Sequence, residues 1–87
     1  MTVHIPSPLR SYTAQRAEAD VAGSTLEEVL TALDQRYPGL RFRIITEQDT
    51  IRRHIKIFVN ETLAPHLNVP LRPNDQVYII CALSGGS

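Results

Sequence analysis

Residues 24–37, STLEEVLTALDQRY, carry the clearest structural signal in the sequence. Ser24 and Glu27 have the spacing of a capping box, which predicts that a helix begins at about Thr25. An apolar stripe follows at helical spacing, formed by Leu26, Val29, Leu30, Leu33 and Tyr37. Pro38-Gly39 predicts the end of this helix. The stripe must cover an apolar sheet, so strands are expected on both sides of it.

Alternating apolar and polar residues predict strands before and after the helix. Residues 2–5 and 16–21 alternate and predict a hairpin of the first two strands. Residues 54–60 alternate again, and residues 76–82 form a nearly continuous apolar run rich in β-branched and aromatic side chains. Residues 40–53 are mixed, and the pattern leaves a loop and a short helical turn equally open.

This order of elements predicts an α+β fold of the β-grasp (ubiquitin-like) type, with a mixed four- to five-stranded sheet wrapped on one main helix. We expect residues 1–82 to form this domain and residues 83–87 to form a flexible tail. The last strand should lie centrally beside the first, with Val77, Ile79 and Cys81 facing the helix.

Tyr78 and Ile80 should then face outward, joined by Phe58 from the third strand. Exposed apolar patches are often docking surfaces, so we predict that a partner docks here, with Arg53 and Lys56 as rim charges.

Composition disfavours several function classes. The chain has 87 residues with a formal net charge of +0, so no overall field attracts nucleic acid or an anionic membrane. So small a core leaves little room for a buried active site. Cys81 is the single cysteine, which excludes an intrachain disulfide and, with no export signal evident at Met1, favours a cytoplasmic protein. The spacing of His4, His54 and His66 suggests solvated histidines, and we expect no metal site.

A basic cluster comprises Arg41, Arg43, Arg52, Arg53 and Lys56. RNA binding is one interpretation, but no aromatic residues interleave with the cluster. Pairing with Glu27, Glu47 or Asp49, or with an acidic partner enzyme, is the favoured alternative.

Three motifs resemble the ThiS/MoaD family of ubiquitin-like sulfur carrier proteins. The tail Leu83-Ser84-Gly85-Gly86 follows the last strand, as in that family. Residues 55–61 (IKIFVNE) are similar to its I-x-I/V-F/Y-V-N-G/D/E strand, and residues 71–77 (LRPNDQV) to its L-x-D-G-D-x-V turn. The likeness extends from the first strand to Gly86, and within the family the strand that begins at His54 is most similar to carriers that serve cysteine or related sulfur-metabolite synthesis.

The resemblance implies that this protein is not an enzyme but a protein co-substrate. A ubiquitin-activating-type adenylyltransferase would use ATP to adenylate the carboxylate of Gly86, and a sulfur donor would convert it to a thiocarboxylate. A synthase would then accept the sulfur for cysteine, molybdopterin, thiazole or a related metabolite. The carrier itself would bind no cofactor. Residues 83–86 would thread into the partner, because glycine lacks the side chain that a narrow channel excludes.

Ser87 departs from the family pattern, because it locks Gly86 in a peptide bond. The resemblance implies that a peptidase, often a zinc enzyme, removes Ser87. Two other functions remain open: a ubiquitin-like modifier joined to lysines through Gly86, and a β-grasp interaction module whose tail has no chemical role.

Overall fold

The computed structural model of the protein describes residues 1–81. Within these residues the strands are β1 (Thr2–His4), β2 (Glu18–Asp20), β3 (Ile55–Val59), β4 (Thr62–Leu63) and β5 (Gln76–Cys81). The α-helices are α1 (Leu26–Arg36) and α2 (Leu40–Ile44), and a 3₁₀ helix spans Ser7–Thr13.

The strands form one mixed sheet with the order β2-β1-β5-β3-β4. β1 and β5 run parallel, whereas the other neighbouring pairs are antiparallel. The last strand therefore lies beside the first at the centre, as the sequence predicts. A five-stranded mixed sheet across one main helix is the expected β-grasp architecture.

The apolar stripe of α1 is confirmed as the centre of the core. Leu26, Val29, Leu30 and Leu33 are at most 1% exposed, while Tyr37 is half-buried. The sheet contributes the buried side chains of Val3, Ala19, Ile55, Ile57, Val77 and Ile79. Burial of an aliphatic side chain contributes roughly 1.5 to 3 kcal/mol, so this contact is the main source of stability.

The N-terminus of α1 lies one residue later than predicted. Thr25 is the N-cap, and its Oγ1 accepts a hydrogen bond of 3.2 Å from the backbone N–H of Glu28. Glu28 in turn accepts a hydrogen bond of 2.8 Å from the backbone N–H of Ser24. The predicted pairing of Ser24 with Glu27 is wrong: with Thr25 as the N-cap, Glu28 lies three residues on and makes the capping contacts, and Glu27 binds Arg41.

Residues 67–71 hold the start of α1 in place. The carbonyl oxygens of Val69 and Leu67 accept hydrogen bonds, each 3.0 Å long, from the backbone N–H groups of Leu26 and Glu27. These N–H groups lie in the first turn, where no helical acceptor exists. The helix is therefore anchored to the segment that leads into β5.

The segment between β1 and β2 differs from the sequence prediction. The 3₁₀ helix was not predicted, and the second strand covers only residues 18–20 of the expected 16–21. Ala17 is exposed, although alternation placed it inward. Buried Thr13 stabilises the end of the 3₁₀ helix, because its hydroxyl lies within hydrogen-bond distance of the carbonyl oxygens of Arg10 and Arg16.

Residues 40–53, which the sequence left open, contain a short helix. Leu40 and Ile44 of α2 are fully buried. The chain then turns back, and Ile45 forms an isolated bridge with Ile51. Burial of these apolar residues makes this segment part of the core.

The two family-like strand and turn motifs meet at one junction. The side-chain amide of Asn60 donates a 3.1 Å hydrogen bond to Asp75, and its oxygen accepts one of 3.0 Å from the N–H of Gln76. Asp75 also accepts a hydrogen bond of 2.8 Å from the backbone N–H of Arg72. This hydrogen bond from Arg72, followed by that from Asn60, lowers the pKa of Asp75.

We expect the Asp75 carboxylate to make stability depend on pH. Because its pKa is lower in the folded state, its contribution is present above its unfolded pKa of about 3.9 and is lost as pH falls through the folded value. In urea denaturation, Asp75→Asn should be less stable than wild type at pH 7, and this difference should shrink below about pH 4. Glu61→Gln is the charge-matched control and should show little difference. A difference for Asp75→Asn that is constant down to pH 2 would contradict the assignment.

Candidate functional site on the outer face of the sheet

The predicted tail, including the glycine that would carry the reactive carboxylate, lies outside the described residues. This applies to Leu83, Ser84, Gly85, Gly86 and Ser87, so their roles remain predictions from the sequence. The structure describes the strand that leads to them, β5, and the sheet face beside it.

The outer face of the sheet carries one row of side chains across all five described strands. The register aligns Glu18, His4, Tyr78, Phe58 and Leu63, one residue from each strand. Tyr78 is 36% exposed, Leu63 is 47% exposed and Phe58 is half-buried. The row is therefore apolar from the centre of the sheet to its β4 edge.

Ile80 extends the apolar surface along β5 towards the tail. Its side chain is 45% exposed, and it pairs across the strands with exposed Lys56. Arg53 is also exposed, in the turn before β3. The structure thus brings Phe58, Tyr78 and Ile80 to one face with Lys56, while Arg53 lies near the end of the same sheet.

His4 fixes the ring of Tyr78 at the centre of this face. The two rings stack with centroids 4.3 Å apart and planes 6° from parallel. Nε2 of His4 lies 2.7 Å from Oε1 of Gln76, and Nδ1 lies 3.7 Å from Glu18. The interpretation of His4 as a solvated side chain is therefore wrong: it is part of the packed surface.

Alternation placed His4 on an outward strand face, but sequence reasoning missed its stacking on Tyr78 and missed Leu63 as a member of this face. Leu63 could have been found, because Asn60-Glu61 forms a two-residue turn that places it opposite Phe58. Asn60 has the left-handed backbone, φ 56°, that such turns require. The stacking of His4 on Tyr78 depends on the exact parallel register of β1 with β5, for which the local sequence carries no signal.

The basic residues do not form one cluster. Arg41 donates two hydrogen bonds of 2.8 Å to Glu27 and one of 3.3 Å to Asp49, which confirms the predicted pairing with those acids but not with Glu47. Burial alone lowers the pKa of Arg41, but hydrogen bonds and attraction from both carboxylates outweigh burial and raise it.

Two further arginines contact aromatic rings. The guanidinium of Arg43 lies 5.6 Å from the ring centre of Tyr12, and that of Arg52 lies 4.7 Å from that of Phe42. Arg41, Arg43 and Arg52 therefore each contact a side chain of the described residues, whereas Arg53 and Lys56 are exposed near the start of β3.

The remaining candidate groups show no catalytic arrangement. Cys81 is half-buried, and burial raises the pKa of its thiol, which disfavours the reactive thiolate. His54 and His66 are exposed. Within residues 1–81, no three His, Cys, Asp or Glu side chains lie close enough to hold a metal ion. No helix in the same range has the length and apolar character needed to cross a membrane.

Nearly the whole chain matches one protein-family model. The model of the ThiS family matches residues 3–86, from β1 through Gly86. The chain belongs to the ThiS family. In this ThiS-family protein, the hydrogen bond between Asn60 and Asp75 joins the strand and turn motifs by which the sequence resembles the family.

Individual relatives agree with this assignment. The chain is 29% identical to the sulfur carrier protein CysO of Mycobacterium tuberculosis, covering 99% of this chain and 98% of the relative. A chain in the crystal structure of the Amycolatopsis orientalis BexX/CysO complex matches with a TM-score of 0.91, 27% identity and 98% coverage of both chains. SAMP1 of Haloferax volcanii matches with a TM-score of 0.78 and 25% identity, covering 99% of this chain and 98% of SAMP1.

Proposed function

We propose that this protein is a sulfur carrier whose Gly86 carboxylate, freed from Ser87, is converted to a thiocarboxylate. The observation that carries the proposal is the family match, which spans nearly the whole chain and ends at Gly86. The outer face of the sheet supports the proposal with exposed apolar side chains, Tyr78 and Ile80, on which a partner enzyme would dock.

The proposed chemistry requires two displacements. An oxygen of the Gly86 carboxylate attacks the α-phosphorus of ATP in a partner enzyme, and pyrophosphate leaves. Hydrosulfide then attacks the acyl carbon, AMP leaves with the bonding electrons, and the sulfur remains on the glycine. The carrier supplies the carboxylate and the binding surface, while the partner supplies ATP and the catalytic groups. An acceptor synthase then takes the sulfur.

We assign docking of the activating enzyme to the outer face formed by Phe58, Tyr78 and Ile80. Aromatic and large apolar residues are typical centres of binding energy, and this face extends along the strand that leads to the tail. Arg53 and Lys56 at its margin would affect the association rate more than the final affinity. The complex of BexX with CysO offers a precedent in a relative for assembly with another protein.

A ubiquitin-like modifier is the second candidate function. The similarity to SAMP1, called a small archaeal modifier protein, favours it. Both functions would activate the same Gly86 carboxylate, and they differ in whether sulfide or a lysine amine attacks it. A simple interaction module differs from both, because removal of residues 85–87 would leave its activity intact.

The thiocarboxylate can be detected by intact mass. The chain ending at Gly86, incubated with a cognate activating enzyme, ATP and sulfide, should gain about 16 Da as sulfur replaces oxygen. The chain ending at Gly85 is a control for tail length. No mass gain, with an enzyme proven active on another carrier, would contradict the sulfur-carrier function, and an amide bond to lysine would favour the modifier.

Removal of Ser87 should be required for activation. Serine adds a β-carbon and a hydroxyl where a narrow channel must admit glycine, and it displaces the reactive carboxylate by one residue. ATP–pyrophosphate exchange should therefore be fast with the 86-residue form and near background with the 87-residue form. Equal rates, with Ser87 still attached by mass spectrometry, would show that processing is not needed.

Ile80→Asp should weaken docking without unfolding the domain, because Ile80 lies outside the core. We expect a loss of more than about 1.4 kcal/mol, or about tenfold in Kd for the activating enzyme, measured by calorimetry. The control variant, Gln35→Glu, adds the same charge at an exposed position of α1 and should bind the activating enzyme normally. Normal binding by folded Ile80→Asp would exclude this face.

A further inference from the structure

A groove lies at the edge of the sheet where β4 ends. Its volume is about 360 Å³, and it is bounded by β3 on one side and by Leu63, Ala64 and Pro65 on the other. Arg52, Arg53 and Lys56 also line it. We call this feature the edge groove.

The backbone of β3 is incompletely paired along the edge groove. β4 pairs only with Phe58 and Val59, and Ala64 adds one hydrogen bond of 2.8 Å from its N–H to the carbonyl of Ile57. Pro65 has no N–H to continue the ladder. Since residues alternate in direction along a strand, the carbonyl of Ile55 faces the same side as that of Ile57, towards the edge groove. Ile55 as a whole is only 2% exposed, and its N–H donates to the carbonyl of Arg52, so the edge groove is accessible mainly through the side chains that line it.

The charges of the edge groove are all positive. The ion pairs in residues 1–81 involve Met1, His4 and Arg41, and none involves Arg52, Arg53 or Lys56. The chain as a whole is neutral; exposed acids lie on Glu18 and Asp20 of β2 at the opposite edge of the sheet, and Glu61 lies in the turn between β3 and β4, where it does not line the edge groove. The edge groove therefore offers positive charge that residues of its own described chain do not neutralise.

We propose that the edge groove binds an extended segment of a partner protein in which acidic and apolar residues alternate. Acidic side chains pair with Arg53 and Lys56, and apolar side chains pack on Leu63 and Pro65. Charge complementarity of this kind selects a partner by its acidic residues. RNA fits less well, because no aromatic ring lines the edge groove for a base to stack on.

The proposal is independent of the chemistry at Gly86. It concerns a surface of the folded domain, and occupancy of the edge groove would leave the exposed side chains of Tyr78 and Ile80 accessible. Arg53, Lys56 and Leu63 also border the outer face, so a partner on that face would compete with the acidic segment for these side chains.

The test is an NMR titration of the ¹⁵N-labelled 87-residue protein with the synthetic peptide acetyl-Glu-Val-Asp-Val-Glu-Val-Asp-amide. We expect the largest amide shift changes at residues 52–57 and 63–64. The same peptide with Gln and Asn in place of its acids should bind about tenfold more weakly or not at all. Shift changes confined to other surfaces, or equal binding of the two peptides, would overturn the proposal.

Charge-reversal variants locate the site. Arg53→Glu combined with Lys56→Glu should reduce acidic-peptide affinity by at least about tenfold, since two attractions become repulsions. Arg16→Glu, an exposed residue near the opposite edge, is the control and should reduce it little. If Arg16→Glu lost as much peptide affinity as the double variant, the attraction would be unspecific and the proposal would be overturned. Tighter binding of an oligouridine than of the acidic peptide would also overturn it. Because no ATP or activating enzyme is present, failure here leaves the sulfur-carrier function standing.

Discussion

The pairing of β5 with β1 on one side and β3 on the other organises the whole protein. It joins residues near the two ends of the chain, with Val3 opposite Val77, and it places Val77 and Ile79 beneath α1. The loop-closure entropy of so distant a pairing must be offset by burial of apolar surface. The α1 stripe and the anchoring of its first turn by residues 67–71 provide that burial and complete the domain.

The elements that local pattern controls could be predicted. The apolar residues of α1 recur at helical spacing, so only one face of the helix can be buried. Alternation in β3 and β5 separates core from surface residues, and Tyr78 and Ile80 were therefore correctly placed outward. Features that depend on tertiary contacts could not be predicted. The ion pair of Glu27 with Arg41 joins residues distant in sequence, and the stacking of His4 on Tyr78 depends on the parallel register of β1 and β5.

The described part of the molecule presents binding surfaces without a catalytic group. Its half-buried thiol is not activated, and its histidines are either stacked in the sheet surface or exposed. The proposed carrier and modifier functions would both use the Gly86 carboxylate, so in either case the partner enzyme would determine the acceptor.

The central position of β5 also has a mechanical consequence. Tension on the C-terminus would act along β5, and its backbone hydrogen bonds to β1 and β3 would be strained in shear, several at once. An edge strand, by contrast, can be peeled away one bond at a time. A partner could therefore grip and pull the end of the chain strongly without unravelling the domain behind it.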